Sequence, residues 1–146
     1  MRGCRPLTDQ ELAAVLKELK GKYQLRDRAM LVLGVRSGFR ISELLSLRIR
    51  DVITNGRMSD RVTVQRKHMK KKTEGRTILL HPAAAAVLLE WIRALEASGK
   101  AHPEALLFQS QKGGAITRVQ AFRILQRAFD RCELSGRLGT HSMRKT

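Results

Sequence analysis

Ser37-Gly38-Phe39-Arg40-Ile41-Ser42-Glu43-Leu44-Leu45 is the stretch on which the reading of this chain turns. Ser37-Gly38 breaks the apolar run before it. Ile41, Leu44 and Leu45 then put the apolar side chains of a new helix on one face. Arg40 and Glu43 stand three residues apart, so both can project from one face at the start of that helix. Seen alone, the pair has an ordinary explanation as surface charges on an amphipathic helix.

Upstream of this stretch, the spacing predicts a helix from about Leu25 through Val35. Its run AMLVLGV is apolar on nearly all sides, the mark of a buried helix. Before it, Thr8 to Glu11 reads T-x-x-E, a capping box that satisfies the first orphan amides of a helix. Leu12, Val15, Leu16 and Leu19 follow at helical spacing, and Gly21 is placed to end that helix.

Downstream, from Asp51 to Leu80, the period changes. VIT, RVTVQ and RTILL are separated by NGRMSD and KHMKKKTEG, which predicts a small antiparallel sheet of two or three strands. His81-Pro82 opens the next helix, with Val87, Leu88, Trp91, Ile92 and Leu95 as its core stripe and Gly99 as its stop. Ala105 to Phe108 is expected to be a short extended piece. Thr117 to Gln120 is a second capping box. Val119, Phe122, Leu125 and Phe129 are expected to form one buried stripe, ending near Cys132. With no repeat, linker or low-complexity segment, the expected fold is mainly α with a small antiparallel β-sheet (α+β), a single domain over residues 1–146.

The charge balance narrows the function. Lys and Arg total 29 against 13 Asp and Glu, a formal net charge of +16 on 146 residues. Such a field attracts polyanions, and each cation that neutralises a phosphate releases a condensed counterion. With only four Phe, one Tyr and one Trp, the chain lacks the aromatic platforms of a base-stacking single-strand binder. Cys4 and Cys132 form no CxxC pair and suit a reducing cytosol. The N-terminus has no apolar signal-peptide core, and the run Ala29 to Val35 is too short to cross a bilayer. The expectation is a soluble cytoplasmic protein with no metal, no cofactor and no membrane partner.

Two further clusters carry chemistry. Lys67-His68-Met69-Lys70-Lys71-Lys72-Thr73-Glu74-Gly75-Arg76 reads as a basic hairpin tip, either a solvated turn or a phosphate-contacting finger. His141-Ser142-Met143-Arg144 places His and Arg at i, i+3, where they can meet one anion or merely open a helix with a basic turn.

In this order and on these elements, SGFRISELLSL, a Lys-bearing hairpin and H-x-x-R resemble the catalytic domain of the tyrosine recombinases, the phage-integrase family. The resemblance runs from PLTDQELAAVL to HSMRKT. It implies Arg40 as the first catalytic arginine and Glu43 as the acidic residue that orients it. It implies a catalytic hairpin lysine, Lys72, which precedes Thr-x-Gly, with Lys70 and Lys71 as substitutes. Lys70, Lys71 and Arg76 would contact DNA, and His141 and Arg144 would be the H-x-x-R pair. The chemistry fits these types: two planar, permanently charged guanidiniums can clamp the non-bridging oxygens of a five-coordinate phosphorus. A lysine can protonate the departing 5′ oxygen, and a histidine can take the nucleophile's proton. The implied partner is duplex DNA, with self-association into tetrameric synapses, in a bacterial or phage setting.

The family pattern continues to a nucleophilic tyrosine after H-x-x-R, whereas the one tyrosine here is Tyr23, ahead of Arg40. The expectation is therefore a C-terminally incomplete catalytic domain without the N-terminal core-binding domain, inactive alone. A non-catalytic DNA-binding remnant of the same fold and an unrelated basic RNA-binding protein are the alternatives.

Overall fold

The computed structural model describes residues 6–64 and 75–134. Among the described residues, six helices and two small hairpins follow in the order α1 (Asp9–Glu18), α2 (Gln24–Ser37), α3 (Ile41–Leu45), α4 (Ile49–Val52), β1 (Ile53–Thr54), β2 (Arg57–Met58), β3 (Arg61–Val64), β4 (Arg76–Leu79), α5 (Pro82–Ala97) and α6 (Arg118–Arg131).

Helix starts follow local chemistry. Thr8 Oγ1 accepts from the Glu11 amide at 3.1 Å while Glu11 Oε1 accepts from the Thr8 amide at 2.9 Å. Thr117 and Gln120 repeat the arrangement at the start of α6, at 3.0 and 2.8 Å. Pro82 opens α5, and the Nδ1 of His81 accepts from the Ala83 amide at 3.0 Å. Each device satisfies an amide that has no partner inside its own helix.

The core is built on α2. Ala29, Met30, Leu31, Val32 and Leu33 are all buried, as an all-round apolar run requires. α2 packs against α5, whose face Ala84, Leu88, Trp91, Ile92 and Leu95 is also buried. Full burial of one Leu or Met side chain is worth about 1.5–3 kcal/mol. The expected extended piece Ala105–Phe108 is reduced to one bridge residue, Leu106, flanked by bends. It bridges antiparallel to Arg48, and Trp91 Nε1 donates to the Leu107 carbonyl at 2.7 Å. α1 packs on α6, and an Arg131 guanidinium N–H donates to the Glu18 carbonyl at 3.1 Å.

Three expectations need correction. The strand region forms two separate two-stranded antiparallel sheets, β1-β2 and β3-β4. Asn55 and Gly56 both take positive φ (53° and 78°), which makes a tight β1-β2 turn with the hand that twisted strands favour. The stretch entering β1 is helical: Asp51 and Val52 close α4, because Asp51 Oδ2 turns back to accept from the Arg48 amide at 2.7 Å. The α6 stripe is also displaced. Ala121, Leu125, Ala128 and Phe129 face the core, while Val119 and Phe122 are 57% and 45% exposed. Alanines fill the core face where α6 approaches its neighbours, and the larger Val and Phe are turned outward.

Candidate functional site

The site grows from the end of α2. Gly38 caps that helix in the left-handed region (φ 70°), its amide donating to the Gly34 carbonyl at 3.2 Å. A side chain there would be strained, so glycine suits the reversal. Ser37 Oγ accepts from the Phe39 amide at 3.1 Å, and the Phe39 ring is buried. The chain is thus fixed on both sides of the turn before it delivers Arg40 to the surface.

Arg40 is the N-cap of α3 with extended backbone (φ −68°, ψ 152°), and its side chain is exposed. Its guanidinium has no partner among the described residues, whereas its backbone amide donates to Glu43 Oε1 at 2.7 Å. Arg40 and Glu43 therefore do not project side by side as the spacing predicted. Glu43 occupies the third helical position and folds back under the turn, holding Arg40 by its main chain.

Glu43 itself is only 8% exposed. A carboxylate so placed must be paired and hydrogen-bonded. The same Oε1 accepts from Arg76 Nη1 at 3.2 Å. Arg76, the first residue of β4, also donates from Nη1 to the Gly38 carbonyl at 3.4 Å, and its guanidinium lies 5.5 Å from the centre of the Phe39 ring. Its side chain is 28% exposed. Two arginines and one glutamate give the turn a formal net positive charge, with only the Arg76 guanidinium paired to the carboxylate.

Arg40, Glu43 and Arg76 thus meet at one place, across 38 positions of sequence between Gly38 and Arg76. Lys70, Lys71, Lys72, His141 and Arg144 lie outside the described residues, as do Lys67 and Cys4. Gly75, the first described residue after the basic segment, sits against β3: a Cβ built there would lie 2.3 Å from the Val64 carbonyl oxygen.

Two features escaped the sequence reading. Arg26 and Asp27 are buried and paired at 2.9 Å. Arg26 also donates to the Gln109 carbonyl at 3.2 Å and stacks 4.1 Å from the centre of the Tyr23 ring. Burial pushes the Asp27 carboxyl above the usual aspartate range, against the opposing pull of the Arg26 charge and hydrogen bond. Tyr23 is thus a half-buried structural residue at the start of α2, in keeping with the reading that set it apart from the chemistry. The second feature is the outer side of α6, where exposed Arg118, Arg123 and Arg127 surround Val119 and Phe122. A helical wheel that assigned those two apolar residues to the core hid this surface. Among the described residues, no helix is long and apolar enough to cross a membrane, and no three His, Cys, Asp or Glu side chains cluster as metal ligands.

Comparison with known proteins matches residues 5–146 to the model of the phage integrase family. A probable integrase/recombinase, YoeC of Bacillus subtilis (strain 168), is 28% identical over 142 residues, covering 97% of this chain and 71% of that protein. Tyrosine recombinase XerC of Myxococcus xanthus is 32% identical over 143 residues, covering 92% of this chain and 45% of that protein. Among solved structures, the XerH site-specific recombinase bound to its difH substrate superposes with a TM-score of 0.71 at 26% identity, covering 97% of this chain and 41% of that one. The chain spans less than half the length of the XerC and XerH proteins it matches.

Proposed function

Because the chain belongs to the phage integrase family, we propose that it is the strand-exchange domain of a site-specific DNA recombinase. It grips a DNA backbone phosphate and, in a protein that also carries a tyrosine nucleophile, cleaves and rejoins strands through a 3′-phosphotyrosyl intermediate. The observation that carries this reading is Arg40: an exposed guanidinium with no partner among the described residues, on a backbone held by buried Glu43. An arginine whose base is anchored and whose charged fork is open is suited to take a phosphate bidentately.

The role assignments follow from this. Arg40 and Arg144 stabilise the charge that builds on the non-bridging oxygens. Loss of one such preorganised donor costs about 2.7–4 kcal/mol of transition-state stabilisation. Lys72 protonates the departing 5′ oxygen, with Lys70 and Lys71 contacting the backbone nearby, and His141 handles the nucleophile's proton. Glu43 positions Arg40 and does not touch the phosphate. The exposed arginines of α6 extend the basic surface along the duplex. Self-association on DNA accompanies recombination, since exchange needs two duplexes held together. The XerH structure, bound to difH, supports duplex DNA as the partner class.

Two measurements test the proposal. At one fixed salt concentration this chain should bind a mixed-sequence duplex more tightly than a structured RNA of similar length. A preference for RNA would overturn duplex DNA as the partner. Reading the open reading frame beyond Thr146 and assaying its product on a suicide duplex should give covalent protein–DNA adducts that Arg40→Ala and Arg144→Ala abolish. Adduct formation at near-normal rates by either variant would remove that arginine from the chemistry.

A further inference from the structure

We propose that Arg76 is a positioning residue for Arg40: it braces the turn that presents the phosphate-gripping arginine and does not itself contact DNA. The inference rests on the phosphate-binding role assigned to Arg40 above. Its basis is a juxtaposition that chain order does not reveal, because Arg76 reaches the turn on both sides of Arg40.

One guanidinium nitrogen, Nη1, donates to the Gly38 carbonyl two residues before Arg40 and to the Glu43 carboxylate three residues after it. The guanidinium also lies within cation–π reach of Phe39, the residue immediately before Arg40. The same Oε1 of Glu43 that accepts from Arg76 accepts from the Arg40 amide. Movement of Arg76 would therefore disturb the atom that holds Arg40's main chain.

Charge gives a second reason. Glu43 is a buried anion a few residues from Arg40, and an uncompensated carboxylate there would compete with phosphate for the Arg40 guanidinium. Arg76 supplies a compensating cation from β4. Arg40's fork is left open while the carboxylate's charge is paired through Oε1. This also accounts for a basic residue at the base of the hairpin being largely withdrawn from solvent. β4, which Arg76 begins, pairs with β3 in register from Val64↔Arg76 to Arg61↔Leu79, so the brace also fixes the base of that hairpin against the Arg40 turn.

The test is a double-substitution cycle read by equilibrium binding of this chain to a fluorescently labelled mixed-sequence duplex at fixed salt. Arg40→Ala should weaken binding about tenfold, the scale of one charge-assisted contact. Arg76→Lys keeps a cation beside Glu43, so it should preserve the fold, while its single ammonium holds the turn less well. It should weaken binding several-fold in the native background and have almost no effect when Arg40 is already alanine. Arg76→Met should show the same dependence on Arg40 with a larger effect, and thermal melts separate any loss of fold. Additive losses from Arg40→Ala and Arg76→Lys would mean that Arg76 meets DNA by itself, and would overturn the inference. So would an Arg76→Lys that lowers the melting temperature without altering affinity. If Arg40→Ala has no effect on binding, the phosphate-gripping role has failed, and the bracing role fails with it.

Discussion

Replacing Glu43 by Ala separates what a capping carboxylate does at the surface from what it does under this site. Two carboxylates here make the same local contact: Glu11 accepts from the Thr8 amide at 2.9 Å, and Glu43 from the Arg40 amide at 2.7 Å. Glu11 does so through a solvent-open hydrogen bond on a half-buried residue at the edge of the fold. Glu43 does so while 8% exposed and while accepting from Arg76. At the surface, loss of the contact should cost about 0.3–1 kcal/mol, the usual range for one capping element. At Glu43 the loss includes a buried hydrogen bond to a charged acceptor, about 1.5–3 kcal/mol. The partly exposed Arg76 pair adds under about 1 kcal/mol once solvent screening is allowed for. Glu43→Ala should therefore cost about 2–4 kcal/mol, and Glu43→Gln, which keeps a neutral acceptor for the Arg40 amide, about half of that. Urea unfolding of the three variants followed by circular dichroism measures the differences. If Glu43→Ala costs no more than Glu11→Ala, the buried carboxylate is not what holds the turn. If the Gln variant is as damaged as the Ala variant, the energy lies in the charge and not in the cap.

Gly75→Ala should open the base of the β3-β4 hairpin, because the new Cβ would meet the Val64 carbonyl oxygen at 2.3 Å; a cost of about 1–3 kcal/mol is expected in the same urea assay, and an unchanged midpoint would show that the backbone yields freely there. Trp91→Phe removes the indole donor to the Leu107 carbonyl, leaving a buried acceptor unmatched, and should destabilise by about 1–3 kcal/mol; a neutral result would mean that water replaces the indole. Asp27 titrates higher in the folded chain than unfolded, chiefly because burial disfavours its charge. Its contribution is therefore full below the unfolded value and lost as pH rises through the folded one. Melting temperatures measured from acid to neutral pH should show this fall above the ordinary aspartate range, and Asp27→Asn should flatten it; an identical profile in the variant would assign the slope to other groups.

The described turn of the site was legible because its signals are local. The turn Ser37-Gly38 and the helix start at Ile41 depend on a few neighbouring residues, and they appear where the sequence placed them. The two T-x-x-E/Q boxes likewise form as read. Arg76 was legible only as one more cation in a basic stretch. Its partner is far away in sequence, and nothing in residues 65–76 states that a buried carboxylate waits at Glu43. Arg26 and Asp27 were hidden for the same reason. They stand at the start of an apolar helix, and only the packing of α2 beneath Gln109 takes them out of water. Phe122 and Val119 failed in the opposite direction: a period of about 3.6 finds an apolar face, but not which part of it the neighbouring helices cover.

The sequence by itself determined the order of the long helices, the charge that points to a polyanion, and the identity of the exposed arginine that begins α3. These depend on helix periodicity, capping and net charge, which act over a few residues or over the whole chain at once. Only the tertiary structure decided that Glu43 lies beneath that arginine and that Arg76 reaches back to brace it. Burial and cross-chain pairing arise when distant segments exclude water together, and the free energy of a carboxylate changes by several kcal/mol on that account alone.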